Sequence, residues 1–129
     1  MDEKKHVLKI RGLNVSFKTS AGVVNAVRGV DLDLFEGETL AIVGESGSGK
    51  SVMSQSILRL REYDSDVNYE GQVLFEGKDL LKVSQAEMRG VRGNRIAVIF
   101  QDPMTSLSPV HTVGRQLSEV LILHKKMTK

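Results

Sequence analysis

The residues best suited to chemistry are Gly44-Glu45-Ser46-Gly47-Ser48-Gly49-Lys50-Ser51. They satisfy G-x-x-x-x-G-K-[ST] at every fixed position, the pattern of a loop that wraps nucleotide phosphates. Closely spaced glycines let backbone N–H groups turn inward as an anion-binding nest, with no Cβ in the way. Lys50 supplies a point charge for β- and γ-phosphates, and Ser51 offers a hydroxyl to Mg²⁺. A helix beginning near Lys50 would aim its positive dipole end at the same place.

Such a loop works only between a strand and a helix, and the flanking residues match that order. Residues 39–43, Thr-Leu-Ala-Ile-Val, form a short apolar run that predicts a buried strand entering the loop. Met53, Ile57 and Leu60 recur at i, i+4 and i+7, one apolar face of the helix leaving it. Ahead of this unit, residues 7–17 read as a strand, with Leu13, Val15 and Phe17 on one face. A polar turn at 18–22 separates it from strand character at 23–27, and Val30, Leu32 and Leu34 then alternate with Asp31 and Asp33 as a further strand.

Beyond the first helix, residues 62–68 read as a polar loop, 72–75 as a strand and 76–79 as a turn. Ser84 and Glu87 form an S-x-x-E capping box that predicts a short helix ended by Gly90 and Gly93. Residues 96–100 are wholly apolar and predict a second buried strand. Thr112 is placed to cap a final helix whose inner face carries Val113, Leu117, Val120 and Leu121.

Composition narrows the class. The chain has 129 residues, 40% hydrophobic and 26% charged, enough for one core of ordinary globular type. No apolar run reaches membrane-spanning length, and the charged residues 1–6 have no apolar targeting segment behind them. The lack of cysteine excludes disulfides and thiolate metal sites and suits a reducing compartment. Asn14-Val15-Ser16 matches a glycosylation acceptor but reads as chance without a secretory signal. A net charge of +2 is too small to imply a nucleic-acid partner, and the Arg89, Arg92, Arg95 cluster reads as solvated surface.

Taken together, these residues resemble the ATP-binding subunit of an ABC transporter: strands before the phosphate loop, then an apolar strand ending in Phe100-Gln101. Gln101 matches the family's Q-loop glutamine. The run Phe100-Gln101-Asp102-Pro103-Met104-Thr105-Ser106-Leu107, with Val113-Gly114 and Leu123-His124-Lys125, resembles the subgroup importing oligopeptides and dipeptides, to which nickel importers are related. Ser108 departs from the asparagine usual there. The resemblance covers residues from about Leu8 to the last.

The resemblance implies an α/β P-loop fold, with an antiparallel β-subdomain and the start of a helical arm. Residues 1–129 would be the N-terminal part of a single, longer ATP-binding domain. It implies ATP and Mg²⁺ as ligands. Gly44, Glu45, Ser46, Gly47, Ser48, Gly49, Lys50 and Ser51 would hold the nucleotide, with Phe17 as the aromatic that stacks on adenine. Lys50 and Gln101 would act in catalysis, and Ser51 and Gln101 at the metal. The segment from Gln101 to Pro109 would contact a membrane-embedded partner. The implied partners are transmembrane permease subunits and a second ATP-binding subunit, in a homo- or heterodimer, with a solute-binding protein reached only indirectly. The implied location is peripheral, on the cytoplasmic face of the membrane.

Several parts of the family pattern do not follow Gln101: an acidic strand for Mg²⁺ and the catalytic carboxylate, a Leu-Ser-Gly-Gly-Gln-type helix start, and a switch histidine. Asp31, Asp33, Glu62 and Asp64 precede this point and read as surface charges. His6, His111 and His124 lack metal-ligand spacing. The chain is therefore expected to bind ATP without hydrolysing it. Two other classes share the loop: an ATPase acting on nucleic acid, and a non-catalytic nucleotide-binding module.

Overall fold

The computed structural model describes residues 4–61, 65–100 and 107–126. These fall into two compact units, residues 1–84 and 85–129.

The first unit is built on β1 (His6–Thr19) and β2 (Gly22–Phe35), an antiparallel hairpin closed where Thr19 pairs with Gly22. Gly22 takes φ +124°, and Thr19 Oγ1 donates to the Gly22 carbonyl at 2.7 Å. After α1 (Lys50–Ile57), strand β3 (Val67–Phe75) pairs antiparallel with the other edge of β1. The two-residue β4 (Lys78–Asp79) completes the order β2-β1-β3-β4. Strand β2 is thus one element where the sequence suggested two, and β3 begins five residues earlier than the apolar run at 72–75. Residues 78–79, expected within a turn, instead pair back onto β3.

A bulge explains how β1 buries residues of both parities. Leu8 and Ile10 are buried, and so are Leu13 and Val15. Strict alternation would put the two pairs on opposite faces. Between them Gly12 takes φ +57°, and the pairing with both neighbouring strands shifts register. One extra residue restores the buried side. Side chains fix the irregularity: Asp31 Oδ1 accepts from Gly12 N–H at 2.7 Å. Asn14 Oδ1 accepts from Gly29 N–H at 2.9 Å, and its Nδ2 donates to the Gly12 carbonyl at 3.0 Å. Across on β3, Gly71 has φ +100°, and any Cβ there would run into the Gly12 carbonyl. Asn14 therefore belongs to the bulge. Asp33 joins the same edge, 2.8 Å from Arg11 and 3.4 Å from His6.

The core of this unit joins β1 to Val27, Met53, Leu58, Val73, Phe75 and Leu80. Helix α1 packs on β1 and β2, which places the loop at its N-terminus against the hairpin.

The second unit holds α2 (Gln85–Val91) and α3 (Val113–Lys125). Helix α2 runs through Gly90, and Gly93 with φ +73° follows as the stop. Thr112 caps α3 as expected, its Oγ1 accepting from Arg115 N–H at 3.2 Å. The expected inner face of α3 is not buried: Val113, Leu117, Val120 and Leu121 are 45–67% exposed.

Two predicted strands also require correction. Residues 39–43 and 97–100 are irregular, and Ile96 forms only an isolated bridge with Arg92. Val43 is 90% and Ile99 100% exposed. A buried parallel strand needs hydrogen-bonded neighbours on its edges and cover on its faces. Among the described residues, no named strand pairs with either run. Apolar character alone did not make them strands.

Candidate functional site

The loop expected to bind phosphate lies at the N-terminus of α1. Gly47 and Gly49 take φ +82° and +95°, a region open to glycine and strained for other residues. Gly49 is the N-cap of α1, and its carbonyl accepts the first helical bond, from Met53 N–H at 2.9 Å. Space is as restrictive as conformation. A Cβ on Gly49 would lie 2.5 Å from the Ala26 carbonyl of β2, and one on Gly44 would lie 2.6 Å from Ser48 Oγ. The hairpin thus presses on the loop from outside, and Ser48 closes it from within. A turn bond from Ser48 N–H to the Glu45 carbonyl, at 3.1 Å, completes the curl.

Lys50 folds back over this loop. Its Nζ donates to the Gly44 carbonyl and, at 3.2 Å, to that of Glu45. The ammonium is therefore held at the loop by two neutral carbonyl acceptors. A phosphate oxygen is a stronger acceptor for it than either carbonyl, because the bond becomes charged on both sides. Ser51 is exposed beside it in the first turn. Helix α1 has no acidic residue in its first turn to oppose an anion.

Arg59 anchors the rear of α1, and the motif gave no hint of it. It is buried, takes φ +48°, and donates to the carbonyls of Leu81 at 3.2 Å and Val83 at 3.0 Å. An arginine just past an apolar helix reads in sequence as a solvated C-terminal charge; only the path of residues 81–83 gives it acceptors. Ser56, also buried, spends its hydroxyl on the Val52 carbonyl at 2.6 Å.

Phe17 is half-buried near the end of β1, paired across to Val24 and Val67. The Arg61 guanidinium carbon sits 5.6 Å from its ring centroid, within cation–π range. Gln101, with residues 102–106, lies outside the described residues. Leu107 is 52% exposed.

The residues present fit Mg-nucleotide chemistry better than a protein-only metal site. The loop supplies one ammonium, the exposed hydroxyls of Ser46, Ser48 and Ser51, and a run of backbone N–H groups. Among the described residues there is no group of three or more His, Asp or Glu able to hold a metal. A cation here would draw its other ligands from phosphate and water, as Mg²⁺ does. Also among the described residues, no helix is long and apolar enough to cross a membrane.

Comparison with known proteins bears on the same stretch. Residues 27–129 match the family model described as "ABC transporter". The chain is 58% identical to the dipeptide transport ATP-binding protein DppD of Bacillus subtilis (strain 168), over 95% of this chain and 37% of that protein. It is 54% identical to the oligopeptide transport ATP-binding protein OppD of the same organism, over 95% of this chain and 34% of that protein. A dipeptide transport ATP-binding protein from Lactococcus lactis subsp. cremoris (strain MG1363) is 48% identical, over 98% of this chain and 36% of the relative. The chain thus spans little more than a third of the length of these relatives.

Proposed function

The chain belongs to the ABC transporter family, and from that membership we propose that residues 44–51 bind the phosphates of Mg-ATP. We propose further that the protein to which they belong hydrolyses ATP to drive import of peptides or a related small solute. The observation that carries the reading is the closed phosphate loop, with its two left-handed glycines and Lys50 folded over it.

On this reading Lys50 leaves the Gly44 and Glu45 carbonyls and meets the β- and γ-phosphates. Backbone N–H groups of the loop and the first turn of α1 surround the remaining phosphate oxygens. Ser51 and Gln101 are the side chains that would hold Mg²⁺, which when bound would supply charge neutralisation at the phosphates. Phe17 gives the adenine a flat apolar face. Gln101 orients the attacking water and reports nucleotide state to residues 102–109, which touch the membrane partner.

Residues 1–129 then form part of a single ATP-binding domain. Its partners are transmembrane permease subunits and a second ATP-binding subunit, with a solute-binding protein reached indirectly. Its place is peripheral, on the cytoplasmic face of the membrane. The names of the peptide-transport relatives support this choice of cargo.

Hydrolysis needs a group that positions water, together with charge stabilisation at the γ-phosphate. The acidic residues after Gln101 are Asp102 and Glu119, and Glu119 belongs to α3. Residues 1–129 are therefore expected to bind Mg-ATP without turning it over. A phosphate-release assay should give the same background for this chain and for Lys50→Ala. Steady release that Lys50→Ala abolishes would contradict the reading.

A further inference from the structure

The guanidinium of Arg61 lies over the Phe17 ring, with Cζ 5.6 Å from the ring centroid. The ring belongs to the face of β1 that carries the phosphate loop. Pairing of β1 with β3 runs residue by residue from Asn14 to Phe17, without a shift. Phe17 therefore shares a face with Val15, which is buried, and stands about 7 Å further along the strand. Val15 pairs with Val27, and Val27 Cγ2 is 3.8 Å from where a Cβ on Gly49 would sit. Phe17 is thus one side-chain repeat along β1 from the place where the loop rests.

Arg61 reaches this ring from a fixed stem. Arg59, two residues earlier, is buried and bonded to the Leu81 and Val83 carbonyls. Leu60 N–H donates to the Gln55 carbonyl at 3.2 Å. Arg61 itself is exposed, and among the described residues no carboxylate pairs with it. A guanidinium stacked on a ring at an exposed position gains little, because water competes for the cation. Such a contact holds the ring until a flat ligand with more surface takes its place.

We propose that Arg61 sets the affinity of the nucleotide site: its guanidinium holds the face of Phe17 that adenine takes, and the base has to displace it. This rests on the base-stacking role proposed for Phe17. The exchange cancels part of what stacking contributes, and the phosphates remain the main anchor of the ligand. A base on the opposite face of the ring would owe nothing to Arg61, so the two arrangements differ in what its removal does.

Titration calorimetry on the 129-residue chain compares Mg-ATP with Mg-tripolyphosphate, which has the phosphates and no base. The ratio of the two affinities cancels the long-range pull of the Arg61 charge, which acts on both ligands. In Arg61→Ala this ratio should rise about 2- to 5-fold, the size of an exposed cation–π contact. In Phe17→Leu the ratio should fall, and adding Arg61→Ala should then change it by less than about 1.5-fold. An unchanged or lower ratio in Arg61→Ala would overturn the proposal, as would an equal rise without the Phe17 ring. A ratio that Phe17→Leu leaves untouched would remove the base-stacking role and the proposal with it, while the phosphate loop stands. Binding of neither ligand to the parent chain would overturn the phosphate site itself, and the proposal with it.

Discussion

In β1, Leu8, Ile10, Leu13 and Val15 are buried, whereas the equally apolar Leu40, Ile42 and Val43 ahead of the phosphate loop are 43–90% exposed. Ile99 and Phe100, in the second apolar run, are exposed as well. The difference lies in partners. Strand β1 has β2 on one edge and β3 on the other, both antiparallel, and α1 on its buried face. A hairpin brings its first partner through a short turn, at small loop-closure cost. A parallel strand has no such local partner, since its neighbours must return through long crossovers. Apolar sequence supplies the gain from burial, but neighbouring strands decide whether that gain is available.

The largest expected effect probes the paired side of this contrast. Leu13 is fully buried between β2 and β3, next to the bulge. Leu13→Ala should lower the unfolding free energy of residues 1–129 by about 2–5 kcal/mol, read by urea denaturation. A loss well under this range would mean that the β1 core is as loosely covered as the exposed runs.

The smallest effect probes the unpaired side. Ile99→Ser removes an apolar side chain that is 100% exposed. In the same denaturation experiment it should change stability by less than about 0.5 kcal/mol. A cost near that of Leu13→Ala would show that residues 96–100 form a buried strand after all, and the contrast would collapse.

The same contrast explains what the sequence made legible. The conformation of the 44–51 loop was legible, because its glycines answer local needs: a left-handed φ at Gly49 and no room for a Cβ at Gly44. Thr112 could be read too, since an N-cap bonds only three residues away. The unity of β2 could not. Arg28-Gly29 looks like a break in alternation, but pairing with β1 continues on both sides of it, and the Asn14 bond to Gly29 holds the join. The early start of β3 was hidden by the polar residues Asn68 and Glu70, which face away from the core of a pair formed with β1. Arg59 was missed for a related reason. It bonds to main-chain carbonyls, which no side-chain pattern marks. The apolar runs failed in the opposite direction: their residue types promised burial, and their partners are not among the described residues.

The claim on which everything else depends is that Gly44–Ser51 is a phosphate site with Lys50 as its charge. Titration calorimetry of Mg-ATP into the parent chain and into Lys50→Ala tests it most directly. Removing the ammonium takes away a charged hydrogen bond to phosphate, and affinity should fall by about 10- to 100-fold while the far-ultraviolet circular dichroism stays unchanged. Equal affinity in the two chains would place the nucleotide elsewhere and contradict the account.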